Sequence, residues 1–199
     1  MSTIKCITPV DGSVYVERES ASADAIQQTL ASSAAAQQLW KNTPVAERQA
    51  LCSKAVDAFV ARKEEIAEEL TWQMGRPVSQ APGEVAGFEE RARHMITIAA
   101  DALADLQPEA KDGFTRYIKR EALGVAFIIA PWNFPVHLIL SPLVCVLAAG
   151  NRAMLKPSEI TSHTAQLISE MVAEFFDPSE VSVILGDAKV SAQFSQLPF

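Results

Sequence analysis

The sequence predicts an α/β fold in which N-terminal helices and a small β hairpin lead into a parallel sheet. Two patterns support this prediction. Residues 20–106 carry apolar side chains at helical spacing. From residue 124 onward, short apolar segments alternate with segments of helical length, and such units build parallel sheets with right-handed crossovers. The 199 residues are enough for one large domain or two small ones.

The N-terminal residues predict a hairpin followed by a helix. Two short strands are expected within residues 7–16, on either side of a turn at Asp11-Gly12, because glycine accepts the positive φ that a tight turn needs. An Ala- and Gln-rich helix is expected over residues 20–39, with Ser22 as its cap. The pair Thr43-Pro44 predicts the start of the next helix, since threonine can cap free amides and proline suits the first helical position.

Two further helices are predicted from their apolar faces. The second helix is expected to run without interruption to about Met74 and to end at Gly75. The third is expected over residues 83–106. Its apolar stripe comprises Val85, Phe88, Ala92, Met95, Ala99, Ala102 and Leu106.

Two strands of different character are expected next. Residues 114–121 alternate loosely between polar and apolar side chains and predict an exposed strand. Residues 124–130 predict a fully buried strand, which places a domain boundary between residues 110 and 124. The remaining elements are expected as a helix over 136–149, a strand over 153–155, a helix over 161–176 and a strand over 181–185.

The charge and cysteine content narrow the classes of partner. The net charge is −7, from 17 Lys and Arg against 24 Asp and Glu, and no basic cluster could neutralise a run of phosphates, so nucleic acid is not an expected partner. Cys6, Cys52 and Cys145 form no C-x-x-C pair and suggest no metal site. This pattern, together with an N-terminus that does not resemble a secretory signal, predicts a cytoplasmic protein.

A membrane-spanning segment is the rival interpretation of residues 122–151, which contain no Asp, Glu, Lys or Arg. Three prolines interrupt this stretch, at Pro131, Pro135 and Pro142. In lipid, the backbone groups freed by those prolines would lack hydrogen-bond partners. We therefore expect a buried strand, a turn and a buried helix, and no membrane.

Polar residues follow two of the predicted strands, where ligands bind in open α/β sheets. Asn133 lies in an apolar segment and could either tie down its own turn or donate to an oxygen that gains negative charge. Lys156 and Glu159 follow the next strand. They could form a surface ion pair or a helix start, or they could hold the hydroxyls of a ribose.

The motifs PWNFP at residues 131–135 and AAGNRAMLKPSE at residues 148–159 resemble the aldehyde dehydrogenase superfamily in sequence and order. The resemblance extends to WKNTPVAER at residues 40–48, to Met74-Gly75-Arg76-Pro77 and to REALGV at residues 120–125, and it covers essentially the whole chain. One departure is a single glycine, Gly186, where the family usually has a glycine-rich stretch near the adenine.

The resemblance implies a Rossmann-like sheet that is incomplete at the C-terminus. Residues 1–110 would be a helical part packing on the cofactor domain, residues 111–123 an oligomerisation-type strand, and residues 124–199 the first βαβαβ portion of the dinucleotide-binding domain. Asn133 would be the side-chain half of an oxyanion hole. The residues implied to contact the cofactor are Ile129, Ala130, Pro131, Trp132, Lys156, Ser158 and Glu159.

The implied reaction is NAD-dependent oxidation of an aldehyde to a carboxylate through a cysteine thiohemiacetal and a thioester. NAD is expected over NADP, because Glu159 would repel a 2′-phosphate. The resemblance places the family's nucleophilic cysteine beyond Phe199. Cys145 is not expected to replace it, because it lies on an apolar helix with no neighbouring base or cation to lower its pKa. The 199 residues alone are therefore expected to be inactive. The longer parent enzyme is expected to form oligomers. The alternative is a non-catalytic truncated nucleotide-binding or interaction module.

Overall fold

The computed structural model describes residues 3–199 and contains a two-stranded antiparallel hairpin, a group of helices and a three-stranded parallel sheet. The elements are β1 Thr3–Ile7, β2 Val14–Glu19, α1 Ala23–Trp40, α2 Val45–Ala61, α3 Lys63–Met74, α4 Pro82–Leu103, β3 Val125–Ile129, α5 His137–Ala148, β4 Arg152–Lys156, α6 Ser162–Ala173, β5 Val181–Val183 and α7 Ala188–Phe194. A 3-10 turn, Glu159–Thr161, precedes α6.

The predicted α/β fold is confirmed, and its sheet is parallel as expected. The strand order is β3-β4-β5, with Ile129 paired to Lys156 and Leu155 paired to Val183. The side chains of β4 alternate between the two faces of the sheet. Ala153 and Leu155 pack with helices α2 to α6, whereas Met154 faces α1 and α7. The sheet is thus covered on both faces.

Several local predictions are confirmed at the N-terminal helices. Ser22 caps α1, since its Oγ accepts a hydrogen bond from the amide of Ala25 at 3.2 Å. Gly75 ends α3 with a φ of 75°, in the left-handed region that glycine tolerates. The stripe on α4 is buried at Val85, Phe88, Ala92 and Ala99.

Other local predictions are wrong. The expected second helix is two helices that break at Arg62, whose φ of −101° and ψ of 19° leave the helical region. Thr43 does not cap α2, because Pro44 takes the cap position without a side-chain hydrogen bond. The helix α4 ends at Leu103 rather than Leu106, and Ile96 replaces Met95 in the core.

The expected strand over residues 114–121 is absent from the described chain. The segment pairs only through isolated bridges, Leu106 with Ile118 and Lys111 with Phe114, and it lies exposed. The strand β3 is also less buried than expected, since Ile129 is 57% exposed. The helix α7, capped by Asp187, was not predicted at all. The functional division of the chain at residues 110 and 123 stays a prediction.

No helix within residues 3–199 combines the length and apolar character needed to cross a membrane. The uncharged stretch 122–151 is divided among β3, a turn and α5, as expected from its prolines.

Candidate functional site

The loops that follow β3 and β4 leave the sheet at the same edge. The two strands are parallel neighbours, and the amide of Ala130 donates to the carbonyl of Lys156 at 3.2 Å. The two loops therefore begin side by side, at the carboxyl ends of neighbouring strands. The chain just past β5 joins the same edge, since the amide of Ile184 donates to the carbonyl of Leu155 at 2.8 Å.

The first loop presents its side chains to solvent. Ala130 is buried, but Ile129, Trp132 and Phe134 are each about half exposed, and Pro131 and Asn133 are exposed as well. The Asn133 side chain makes no hydrogen bond to any residue in 3–199. It therefore does not tie down its own turn, and its amide is free to donate to another group.

The shape of the first loop is fixed instead by Glu84 and Arg76. The buried Glu84 carboxylate on α4 accepts hydrogen bonds from the amides of Val136 and His137, at 2.7 and 3.0 Å. These amides open α5, whose own N-cap makes no side-chain hydrogen bond. A carboxylate also suits the positive end of a helix dipole.

Arg76 connects this carboxylate to the loop. One guanidinium nitrogen pairs with Glu84, and the other donates to the backbone carbonyl of Asn133 at 2.6 Å. The same guanidinium lies 4.5 Å from the ring centroid of Phe134. In the sequence, Arg76 stands out only as part of the family-like segment Met74-Gly75-Arg76-Pro77, and nothing marks Glu84, because neither residue is near Asn133 along the chain.

The second loop holds a buried lysine. Lys156 is 1% exposed, and its Nζ donates to the carbonyl of Pro157 at 2.7 Å and lies 3.7 Å from a carboxylate oxygen of Glu159. Burial lowers the pKa of Lys156, while the charges of Glu159 and Asp187 oppose that shift. Glu159 keeps 38% of its side chain exposed.

Ser158 and the start of α6 complete the second loop. The Oγ of Ser158 accepts a hydrogen bond from the amide of Ile160 at 3.3 Å, which leaves its own hydroxyl proton free to be donated. The helix α6 has no side-chain cap of its own. Gln73 supplies one from α3, because its Oε1 accepts from the amides of His163 and Thr164 at 2.9 and 3.1 Å.

The cysteines do not carry the features of a nucleophile. Burial raises the pKa of Cys52 to about 12 and also raises the pKa values of Cys6 and Cys145. Cys145 is half-buried rather than fully buried, and the charge of Arg91 partly offsets the shift. The expectation that no cation lies near Cys145 is thus wrong, but burial outweighs that cation. The described residues also contain no cluster of side chains suited to a metal ion.

The comparison with known families decides the affiliation of the chain. The sequence model of the protein family described as "Aldehyde dehydrogenase family" matches residues 1–198. The chain belongs to this family. The coniferyl aldehyde dehydrogenase of Pseudomonas sp. (strain HR199 / DSM 7063) is 35% identical over 156 residues, which are 73% of this chain and 31% of that protein. The chain therefore spans about a third of the length of this aldehyde dehydrogenase.

Two solved structures support the aldehyde dehydrogenase fold. PnpE from Pseudomonas sp. WBC-3, solved with nicotinamide adenine dinucleotide, matches with a TM-score of 0.87 and 30% identity over 94% of this chain and 39% of that one. The NADP-dependent glyceraldehyde-3-phosphate dehydrogenase from Bacillus halodurans C-125, solved with NADP, matches with a TM-score of 0.90 and 26% identity over 99% of this chain and 43% of that one. Both cofactors thus occur among similar aldehyde dehydrogenases.

Proposed function

We propose that this chain forms the part of an NAD-dependent aldehyde dehydrogenase that holds the adenosine ribose and one donor of the oxyanion hole. The observation that carries the proposal is the pairing of Ile129 with Lys156 in parallel strands, because it brings the loops of Asn133 and Glu159 to one edge of the sheet. In an open α/β sheet this edge is where nucleotides bind.

The residues at this edge fit a nucleotide. Glu159 offers a partly exposed carboxylate that can accept from ribose hydroxyls, and the buried Lys156 lies beside it with one N–H donor that its two protein contacts leave free. Ser158 has a free hydroxyl proton. Ile129 and Trp132 expose apolar surface that a flat base or a nicotinamide ring could cover. Ala130 and Pro131 would complete that wall.

We assign the residue roles from this arrangement. Lys156, Ser158 and Glu159 bind the ribose, and Asn133 donates its side-chain amide to the oxygen of a reacting aldehyde as that oxygen gains negative charge. Such a donor contributes about 3–4 kcal/mol to lowering a barrier. NAD, when bound, supplies the acceptor for the hydride. NAD is preferred over NADP, because a 2′-phosphate would meet the Glu159 carboxylate.

Other aspects of the proposal concern the whole enzyme. A cysteine thiolate forms the thiohemiacetal and then the thioester, and we propose that this thiol lies outside the 199 residues, since burial raises the pKa of all three cysteines present. The enzyme acts in the cytoplasm as a homo-oligomer. Residues 111–123, which are exposed here except for the half-buried Ala122, pair the subunits.

Calorimetric titration with NAD and with NADP tests the ribose assignment. We expect the chain to bind NAD weakly and NADP more weakly still. Glu159→Gln should weaken NAD binding by about tenfold or more, since a charged acceptor is lost. It should also reduce the difference between the affinities for NAD and for NADP. Glu170→Gln, an exposed carboxylate on α6, is the matched control and should bind as the unaltered chain does. Equal affinity for both cofactors in the unaltered chain would contradict the assignment.

An activity assay separates the dehydrogenase proposal from a non-catalytic module. A chain verified by mass as 199 residues should show no aldehyde-dependent reduction of NAD, while a longer protein carrying this sequence should show it. In that longer protein, Asn133→Ala should lower kcat by about 100-fold or more. Turnover by the 199-residue chain that Cys145→Ser abolishes would overturn the assignment of the thiol.

A further inference from the structure

The hairpin of β1 and β2 packs against the segment that carries Glu159. The strand β1 lies beside the 3-10 turn Glu159–Thr161, and both strands contact α6, which follows that turn. The hairpin and the turn are 154 residues apart at the contact of Cys6 with Ile160. Tertiary packing alone therefore brings them together.

Cys6 on β1 makes the first attachment to the turn. Its side chain is fully buried, and its thiol donates to the backbone carbonyl of Ile160, with 2.9 Å between Sγ and the oxygen. The amide of Ile160 is held as well, since it donates to the Oγ of Ser158 at 3.3 Å. The peptide units on both sides of Ile160 are thus fixed, and the first of them belongs to Glu159.

Arg18 on β2 makes the second attachment, in the first turn of α6. Its guanidinium lies 2.9 Å from Nδ1 of His163. Because a guanidinium can only donate, this nitrogen accepts and the ring carries its proton on Nε2. That Nε2 lies 3.7 Å from the carboxylate of Glu69 on α3, which also accepts from the hydroxyl of Tyr15 at 3.0 Å. The strand β2 is therefore joined to both α3 and α6.

Both attachments are directional polar contacts added to the apolar packing of the hairpin. An apolar residue of similar volume in place of Cys6 would fill the same space but would leave the Ile160 carbonyl without this donor. A two-stranded hairpin is marginally stable by itself in water. The order of the hairpin and the order of the turn are therefore coupled through these contacts.

We propose that the hairpin positions Glu159 for its ribose, with Cys6 and Arg18 as positioning residues that do not themselves touch the nucleotide. This inference rests on the ribose-binding role proposed for Glu159. A carboxylate accepts from ribose hydroxyls only at hydrogen-bond distance, so a small displacement of the turn weakens the contact. The same displacement weakens the repulsion of a 2′-phosphate.

Two substitutions of Cys6 separate the hydrogen bond from the packing. In calorimetric titration of the 199-residue chain, Cys6→Val should bind NAD about fivefold more weakly, and the ratio between the affinities for NAD and for NADP should fall. Cys6→Ser keeps a donor and should bind NAD within about twofold of the unaltered chain. The matched control is Cys52→Val, since Cys52 is buried on α2 and its thiol makes no hydrogen bond within residues 3–199.

Arg18→Met tests the second attachment without a change in the core, because Arg18 is only half-buried. It should also weaken NAD binding by about fivefold. The matched control is Lys5→Met, which removes the same charge from the hairpin, where Lys5 pairs with Glu17 at 2.8 Å. Urea denaturation verifies that each variant is folded. Hydrogen exchange of the Ile160 and Thr161 amides should accelerate in Cys6→Val and Arg18→Met but not in the controls.

The exchange measurement separates this proposal from the ribose assignment. Absence of NAD binding by the unaltered chain would contradict the role of Glu159, while faster exchange in the two variants would still support the hold of the hairpin on the turn. Unchanged exchange in both variants would overturn that hold. Equal weakening of NAD binding by Cys6→Ser and Cys6→Val would overturn it as well, because the donor would then make no difference.

Discussion

The helices α5 and α6 follow adjacent parallel strands, and neither begins with a cap of its own. Each is capped by a buried side chain that arrives from the N-terminal helices: Glu84 for α5 and Gln73 for α6. The four free amides at a helix start need acceptors when they are buried. The two crossover helices therefore depend on the N-terminal helices for their first turns.

The two caps differ in charge, and this difference reaches the candidate site. Gln73 is neutral, and its amide group donates to Glu69 and Thr164, both at 2.9 Å. Glu84 is a buried carboxylate that requires Arg76, and Arg76 also holds the Asn133 carbonyl. The loop of Asn133 is thus held by an ion pair, whereas the start of α6 is held by neutral hydrogen bonds.

Removing the charged cap should have the largest effect on stability. Glu84→Ala leaves two amides without acceptors and Arg76 without its ion-pair partner, so we expect the free energy of unfolding to fall by about 3–5 kcal/mol. Denaturation in urea measures it. Glu90→Ala, exposed on the same helix, should change it by less than about 0.5 kcal/mol. A similar loss in both variants would contradict the capping role.

Removing the neutral cap should cost less. Gln73→Ala leaves the amides of His163 and Thr164 unsatisfied but leaves no buried charge, and we expect a loss of about 2–3 kcal/mol in the same denaturation experiment. Hydrogen exchange of these two amides should accelerate more than that of Val136 and His137. If exchange in this variant accelerated more at Val136 and His137 than at His163 and Thr164, Gln73 would not be the specific cap of α6.

Arg76→Ala should cost about 1–2 kcal/mol, because the Glu84 carboxylate keeps its two amide donors at the positive end of α5. Its larger effect is expected on the loop itself, as a changed fluorescence of Trp132 and faster exchange around Asn133. Arg93→Ala is the control: Arg93 binds Glu89 and Asp57 on the surface and does not touch the loop. Matching spectra for the two variants would refute the role of Arg76.

Lys156→Met should have the smallest effect on stability, below about 1 kcal/mol, because relief from burying a charge offsets the lost contacts. The folded pKa of Lys156 is lowered, so between that value and an unfolded value of about 10.4 the unfolded chain binds more protons. The stability of the unaltered chain relative to the variant should therefore rise with pH through that window. A stability difference between the two proteins that falls with pH would contradict the burial of Lys156. The Lys156→Met variant should bind NAD more weakly even though its stability is retained.

The fold could be predicted from sequence wherever the signal was local. Ser22, Gly75 and the alternation of apolar segments after residue 124 act through neighbouring residues, and each prediction held. The break at Arg62 could not be predicted, because no proline or glycine marks it. The lack of a strand at residues 114–121 could not be predicted either, because it reflects the absence of a partner strand for this segment within residues 3–199.

The candidate site shows the same limit. The Asn133 and Glu159 loops were found because strand ends are marked by a change from apolar to polar residues. Glu84 and Gln73 were missed because each lies on a helix that also carries solvated carboxylates, and nothing local distinguishes a buried cap from an exposed side chain. Only the tertiary packing of α3 and α4 shows which polar groups face the crossover helices.

The most direct test of the shared nucleotide edge is an NMR titration of the isotopically labelled 199-residue chain with NAD. The backbone amides of the non-proline residues in 129–134 and in 156–160 should shift together, with one dissociation constant, while those of residues 149–151, at the opposite end of the sheet, stay in place. Shifts confined to one loop, or two loops that respond with different dissociation constants, would contradict a single site spanning both.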